Sequence, residues 1–240
     1  MKADAERASE EATGPTPWTA ADLTLTFIVG LAATAVMLFL LWRLVLPSGL
    51  SFGVVVVVSE IVTYTCFLGA AWHFALKRRG ASLASAGFRP VRLGGILVMI
   101  PLTVAILILD GMVIRLTDDL FGSVPTAREQ LGLGSTRISI WGLLSLLLVG
   151  AVIAPLVEEL FFRGLLYGYL RARRGRGVAV VVSSAIFAAM HLIPVLMPSL
   201  FLFGVVLALV YERYDSLYPA VVLHGLNNGI IFVALYAIQP

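Results

Sequence analysis

Long apolar runs separated by short polar segments dominate the chain. Several runs reach about 20 residues, the length that a helix needs to cross the hydrocarbon core of a bilayer. We predict seven spans, at residues 22–46, 52–76, 93–116, 138–170, 177–193, 197–213 and 217–238. The short alternating segments of membrane β-barrels are absent. The pattern therefore predicts an all-α integral membrane protein with the lipid bilayer as its surroundings.

The fourth predicted span, residues 138–170, is longer than a bilayer requires. At a rise of 1.5 Å per residue it measures about 50 Å, against a hydrocarbon core of about 30 Å. Pro155 lies inside it, and a proline within a helix removes one hydrogen bond and clashes with the preceding turn. We therefore predict a kink or break at Pro155.

Composition supports a membrane protein and narrows the possible functions. The 240 residues are 60% hydrophobic and 13% charged, with a mean hydropathy of +0.98, whereas soluble domains are about 25% charged. The single cysteine, Cys66, excludes an intrachain disulfide and a cysteine-based metal site. Nothing in the sequence supports nucleic-acid binding, and no internal repeat is evident.

The placement of the basic residues predicts the orientation in the membrane. Lys and Arg cluster in the loops after the second and fourth spans, and such loops favour the cytoplasm. Seven spans then put the amino terminus inside the cell and the carboxyl terminus outside. We divide the chain into a polar, mobile tail at residues 1–21, N-terminal membrane helices at 22–137 and a core at 138–240.

An unusual set of charges interrupts the fourth span, in the sequence EELFFR at residues 158–163. Glu159 and Arg163 are four residues apart and therefore lie on one helical face, where they can form an ion pair. Glu158 is rotated by about 100° and has no evident local partner. Ionisable groups within a membrane are functional candidates. A structural ion-pair network that locks helices together is the competing interpretation.

Two of the three histidines lie in later spans with aromatic or amide neighbours. His191 ends the sequence FAAMH, four residues after Phe187, so that the two rings can pack. His224 begins HGLNN, which puts Asn228 on its helical face and Asn227 around the helix. Counting the rise per residue from the cytoplasmic span ends gives overlapping depths for Glu158 and these polar groups. We predict that they converge.

The sequences EELFFR, FAAMH and HGLNN resemble the three motifs of the CPBP family of intramembrane proteases, a resemblance that extends over residues 138–238. That family includes CAAX-processing endopeptidases and proteins linked to bacteriocin processing or self-immunity. AGFRP at residues 86–90 also resembles a common element of the family. The resemblance implies hydrolysis of a peptide bond, and we expect a membrane-associated or lipidated substrate. The depths counted above lie on the cytoplasmic side of the midplane, so we expect the site to open toward the cytoplasm.

The resemblance also implies roles for individual residues. Glu158 and His191 would orient and deprotonate the attacking water, a general-base role. His224 and Asn228 would stabilise the oxyanion. A supporting set would hold the geometry or contact substrate, and it consists of Glu159, Arg163, Phe187 and Asn227.

Several alternatives remain open from the sequence. Glu158, His191 and His224 could instead supply three ligands of a catalytic zinc site with water as the fourth, although no H-E-x-x-H spacing is present. A mechanism that needs no cofactor is slightly favoured. The chain could also be a non-catalytic immunity or scaffold protein, or a small proton-coupled transporter. Glu60 and Asp110, two further acids within spans, are expected to be structural.

Overall fold

The computed structural model describes residues 16–45, 52–122, 124–131 and 137–238. Regular structure in these ranges is entirely helical, which confirms the predicted all-α class. The α-helices are α1 (Ala20–Val45), α2 (Phe52–Ala71), α3 (Leu93–Leu97), α4 (Met99–Phe121), α5 (Ala127–Gln130), α6 (Ile140–Leu148), α7 (Ala154–Glu159), α8 (Gly168–Met190), α9 (Met197–Tyr214) and α10 (Leu217–Ala237). The π-helical segments are Trp72–Leu76, Val149–Ile153 and Leu160–Tyr167, and the 3-10 turns are Lys77–Arg79 and Pro194–Leu196.

Six stretches within the described ranges are long and apolar enough to cross a membrane, whereas the sequence predicted seven. The difference arises in one stretch, Ile140–Met190, which has 51 residues. Gly175 interrupts it with φ 80° and ψ 170°. This backbone conformation is not helical, and glycine adopts it readily because it has no Cβ atom. The predicted fourth and fifth spans therefore lie on either side of Gly175 within this stretch.

Helical structure continues through Pro155 without the predicted break. Pro155 occupies the first turn of α7, between the π-helical segments Val149–Ile153 and Leu160–Tyr167. A proline is tolerated in the first turn because its missing N–H has little to bond there. π-Helical turns interrupt the regular α-helix on both sides of Pro155, and turns of this kind are a common cause of kinks.

The beginning of the described chain is fixed to the later helices. Trp18 is fully buried, and its indole N–H donates to the carbonyl of Leu165 over 3.0 Å. Trp18 belongs to the part predicted to be a mobile tail, so residues around it are instead anchored. Residues 1–15 of that predicted tail lie outside the described residues.

The two cationic loops lie at the same end of the helical bundle. Arg79, after the second span, forms an ion pair of 2.8 Å with Asp22 at the start of α1. Arg173, after the fourth, donates to the hydroxyl of Thr16 over 3.3 Å. Because both loops meet the start of α1, the structure agrees with the prediction that they share one side of the membrane.

An aromatic and aliphatic core fills the space between α4, α8, α9, α10 and the π-helical segment Leu160–Tyr167. Its buried members are Met99, Ile106, Phe162, Phe187, Phe203, Leu207, Val210, Ala220 and Leu223. Phe187 is fully buried in it. Phe162 and Phe187 connect this core to the predicted site, because Phe162 adjoins Arg163 and Phe187 stands one turn before His191.

Candidate active site

The irregular backbone before Pro155 supplies a hydrogen-bond acceptor to α10. The N–H of Ala154 bonds to the carbonyl of Val149, five residues back. The same spacing would pair the next residue, Pro155, with the carbonyl of Gly150, but proline has no N–H. The side-chain amide of Asn228 donates to that carbonyl instead, over 2.9 Å. Asn228 therefore fixes α10 against the helix that carries Glu158.

Gly225 allows α10 to approach this backbone closely. A Cβ atom at Gly225 would lie 2.4 Å from the carbonyl oxygen of Ala151, closer than real contacts permit. Ala151 stands four residues before Pro155, so its carbonyl also lacks the usual partner of an α-helix. The close approach brings the neighbouring His224 toward the Glu158 helix.

Gly225→Ala is therefore expected to destabilise the protein by about 1–3 kcal/mol, because the methyl group collides with backbone that cannot easily move. Gly229→Ala is the matched control on the same helix, since its Cβ would meet Ala151 Cβ at 3.6 Å, an ordinary contact. Higher helix propensity should make that control neutral or stabilising by up to about 1 kcal/mol. Denaturant unfolding in detergent measures both, and equal midpoints would contradict the close contact.

A buried chain of polar contacts holds His224. Arg163 and Glu159 are both fully buried, and Arg163 Nη1 lies 2.9 Å from Glu159 Oε1, which confirms the predicted ion pair. Arg163 Nη2 donates to the carbonyl of Gly204 over 3.1 Å. Nδ1 of His224 lies 2.9 Å from the same Glu159 Oε1. Because a carboxylate accepts, Nδ1 carries the proton, and the orientation of the imidazole is fixed.

Glu158 faces the other nitrogen of this imidazole. Its Oε2 lies 3.9 Å from Nε2 of His224, and its Oε1 accepts a hydrogen bond of 3.0 Å from the hydroxyl of Tyr64. The side chain of Glu158 is 21% exposed, unlike that of Glu159. Two atoms at this separation can both bond one water about 2.8 Å from each. Glu158 and His224 thus frame a position for a water molecule or a substrate oxygen.

His191 lies at the carboxyl end of α8, exposed at the surface of the protein. Its Nδ1 is 2.9 Å from the carbonyl of Phe187. A carbonyl accepts, so Nδ1 carries a proton and Nε2 keeps its lone pair in the neutral ring. The imidazole packs on the ring of Phe187 with centroids 4.8 Å apart, as the sequence predicted.

Phe187 connects the two imidazoles. The centroid of its ring lies 5.9 Å from that of His224 and 4.6 Å from the guanidinium carbon of Arg163. The cation lies close enough to the ring for a favourable cation–π contact. His191 therefore reaches the polar cluster through an aromatic contact, while the imidazole directly beside Glu158 is that of His224.

The structure brings most of the predicted site residues together and adds others. Glu158, Glu159, Arg163 and His224 form one polar cluster, and Asn228 binds the same stretch of helix. Asn227 is buried, and its Oδ1 has no hydrogen-bond partner within the described part of the chain.

Sequence reasoning missed Tyr64 and the carbonyl of Gly204. Tyr64 stands four residues after Glu60, so the two polar residues share a face of an otherwise apolar helix. That spacing was the available signal. A backbone carbonyl such as that of Gly204 leaves no mark in a sequence.

The donor set for the alternative zinc site is not assembled. Among the residues that the structure describes, no three His, Cys, Asp or Glu side chains are grouped as metal ligands. The Nδ1 bonds of His224 and His191 leave Nε2 of each ring free, as in metal-ligating histidines, so the spacing of the side chains and not their hydrogen bonding argues against this site. We therefore derive no step through a metal from this arrangement.

Comparison with known proteins agrees with the motif resemblance. Residues 140–230 match the family model described as type II CAAX prenyl endopeptidase Rce1-like. The matched segment contains Glu158, His191, His224 and Asn228. No curated protein and no solved structure matches the chain. The family match confirms the predicted likeness to CAAX proteases over this segment.

Proposed function

We propose that the chain is an intramembrane endopeptidase that hydrolyses a peptide bond in a membrane-associated or lipidated substrate. The match of residues 140–230 to an endopeptidase family supports protease activity. The observation that carries the assignment of the site is the pair of Glu158 Oε2 and His224 Nε2, 3.9 Å apart. A carboxylate and an imidazole at this distance can hold and activate one water.

Glu159 and Arg163 serve this pair without taking part in the chemistry. Glu159 holds the imidazole from its far side, as a buried carboxylate does in other hydrolytic sites. Arg163 compensates the buried charge of Glu159. When His224 carries both ring protons, the charges of Arg163 and His224 balance those of Glu158 and Glu159.

The hydrolysis proceeds in two steps. Glu158 takes a proton from water, and the resulting hydroxide adds to the carbonyl carbon of the substrate. The tetrahedral oxyanion then collapses, the C–N bond breaks, and the proton passes to the leaving nitrogen to give a carboxylic acid and an amine.

His224, Asn228 and His191 complete the arrangement. A proton on His224 Nε2 points toward the oxyanion, and donors of this kind contribute about 10²–10³ in rate. One amide N–H of Asn228 donates to the carbonyl of Gly150. The second N–H is available to donate to the oxyanion. His191 is exposed and offers an unprotonated Nε2, which assists Glu158 in moving the proton.

We propose that the two cationic loops face the cytoplasm, and that the site opens to the same side, as the depths counted from the sequence predicted. The two cationic loops lie at one end of the bundle, and loops rich in Lys and Arg favour the cytoplasmic side. A protease added to sealed vesicles whose exterior is the periplasmic or extracellular face tests this orientation. Cleavage in the loop at residues 171–176 would reverse it.

Incubation of the purified protein with a peptide library in lipid nanodiscs, followed by mass spectrometry, tests the proposed activity. We expect defined products from the wild-type protein, lost in His224→Asn. His73→Asn is the matched control, since His73 is an exposed histidine in the π-helical turn after α2. Parallel samples with chelator test metal dependence, and we expect unchanged products.

A non-catalytic immunity or scaffold protein would behave differently in this assay. The wild-type protein would give no product above the His224→Asn background. Substitutions in the polar cluster would instead reduce accumulation of the protein or its capture of a partner.

A further inference from the structure

The side chain of Glu158 is held by a helix outside the three sequence motifs. Tyr64, on α2, donates its hydroxyl to Glu158 Oε1 over 3.0 Å. Glu60 stands one turn before Tyr64, on the same face of this helix. The site therefore has a wall that the fourth, fifth and seventh predicted spans do not supply.

A glutamate at the proposed reaction centre needs such a contact. The terminal torsion of a glutamate side chain is broad and roughly two-fold, so that a free carboxylate samples many orientations. On the other side, His224 Nε2 is 3.9 Å from Glu158 Oε2, beyond hydrogen-bond length, and does not fix the carboxylate. The bond from Tyr64 is the direct side-chain hydrogen bond that the described structure gives to Glu158.

We propose that Tyr64 is a positioning residue, which anchors one oxygen of Glu158 so that the other faces His224 and the water between them. This inference rests on the proposed endopeptidase function and deepens it. In this proposal Tyr64 bonds Glu158 and is assigned no contact with the water or the substrate carbonyl. Its effect on the rate passes entirely through the orientation of Glu158.

The substitution Tyr64→Phe removes only the hydroxyl and keeps the ring in its packing position. We expect kcat to fall about tenfold, since a hydrogen bond to a charged group is lost. KM should stay within about twofold, because the substrate is not contacted. Tyr236→Phe is the matched control, since Tyr236 packs in a separate cluster with Ile138 and Phe232 near the end of α10.

A double-mutant cycle separates positioning from a general effect on packing. In a Glu158→Asp background the carboxylate is one methylene shorter and no longer meets the Tyr64 hydroxyl in the same geometry. Tyr64→Phe should then lower kcat by less than about twofold, a non-additivity expected for residues in contact. A tenfold loss in both backgrounds would show that the ring hydroxyl acts elsewhere and would overturn the inference.

The remaining outcomes distinguish this inference from the proposed function. Wild-type cleavage that is lost in Glu158→Gln but kept within twofold in Tyr64→Phe overturns the role of Tyr64 alone. The role of Tyr64 is also overturned if the fall in kcat of Tyr64→Phe is explained by a lowered unfolding midpoint. Absence of cleavage by the wild-type protein in the peptide-library assay overturns both proposals together.

Discussion

Replacing Glu158 with glutamine is expected to lower the rate of peptide cleavage by about 10²–10⁴-fold, the usual contribution of a general base. Glutamine keeps the shape of the side chain and can still accept the hydrogen bond from Tyr64. It cannot take a proton from water. Initial rates of product formation, measured by mass spectrometry on protein purified in parallel, give the comparison.

The control for this substitution is another carboxyl group within a span. Asp110 lies on α4 and accepts a hydrogen bond from Ser199 on α9, apart from the polar cluster around Glu158. Asp110→Asn should keep most of the activity. The role of Glu158 would be contradicted if Glu158→Gln and Asp110→Asn both turned over substrate at the wild-type rate.

Replacing Arg163 with methionine is expected to produce the largest loss of stability, about 3–5 kcal/mol. The change leaves Glu159 as a buried carboxylate without its compensating cation, and it also removes the bond to the carbonyl of Gly204. His224 would lose its fixed orientation as well, because it shares Glu159 Oε1 with Arg163. Denaturant unfolding and the amount of protein recovered from membranes measure the effect.

Arg171→Met is the matched control for that substitution. Arg171 pairs with Glu212 over 2.8 Å, but its side chain is 35% exposed. The carboxylate that remains, Glu212, keeps the hydrogen bond from the hydroxyl of Tyr167, and partly exposed pairs contribute less. Equal losses of stability in the two variants would show that burial of the Arg163–Glu159 pair has no special importance.

Helical periodicity explains which parts of the site the sequence could predict. The Glu159–Arg163 pair and the packing of Phe187 on His191 are contacts between residues four apart on one helix. Such contacts follow from 3.6 residues per turn alone. Likewise, length and hydropathy predicted the all-α membrane fold.

Helical periodicity does not predict contacts between different helices. The rise per residue predicts the depth of Glu158, His191 and His224 in the membrane, but not how each helix is rotated toward its neighbours. The sequence therefore paired Glu158 with His191, whereas the structure places His224 beside it. The bond from Tyr64 depends on the same unknown rotation, on a helix far away in sequence.

Backbone irregularities account for the other differences. Pro155 was expected to kink or break the helix. The helix does not break, and π-helical turns surround Pro155 and leave the carbonyl of Gly150 for Asn228. No rule of spacing predicts a π-helical turn, since it depends on what packs against the freed carbonyl. Gly175, in turn, joins the predicted fourth and fifth spans through a kink in one helical stretch, where the sequence predicted two separate spans.

The central claim gives two adjacent glutamates different tasks: Glu158 performs the chemistry, and Glu159 holds the histidine. Measuring kcat and the unfolding midpoint side by side for Glu158→Gln and Glu159→Gln tests it most directly, because the chemical change is identical. We predict that Glu158→Gln loses turnover at a nearly wild-type midpoint, while Glu159→Gln unfolds much more easily, since Arg163 is left without a counter-charge. Retained turnover in Glu158→Gln, or a wild-type midpoint in Glu159→Gln, would contradict the account.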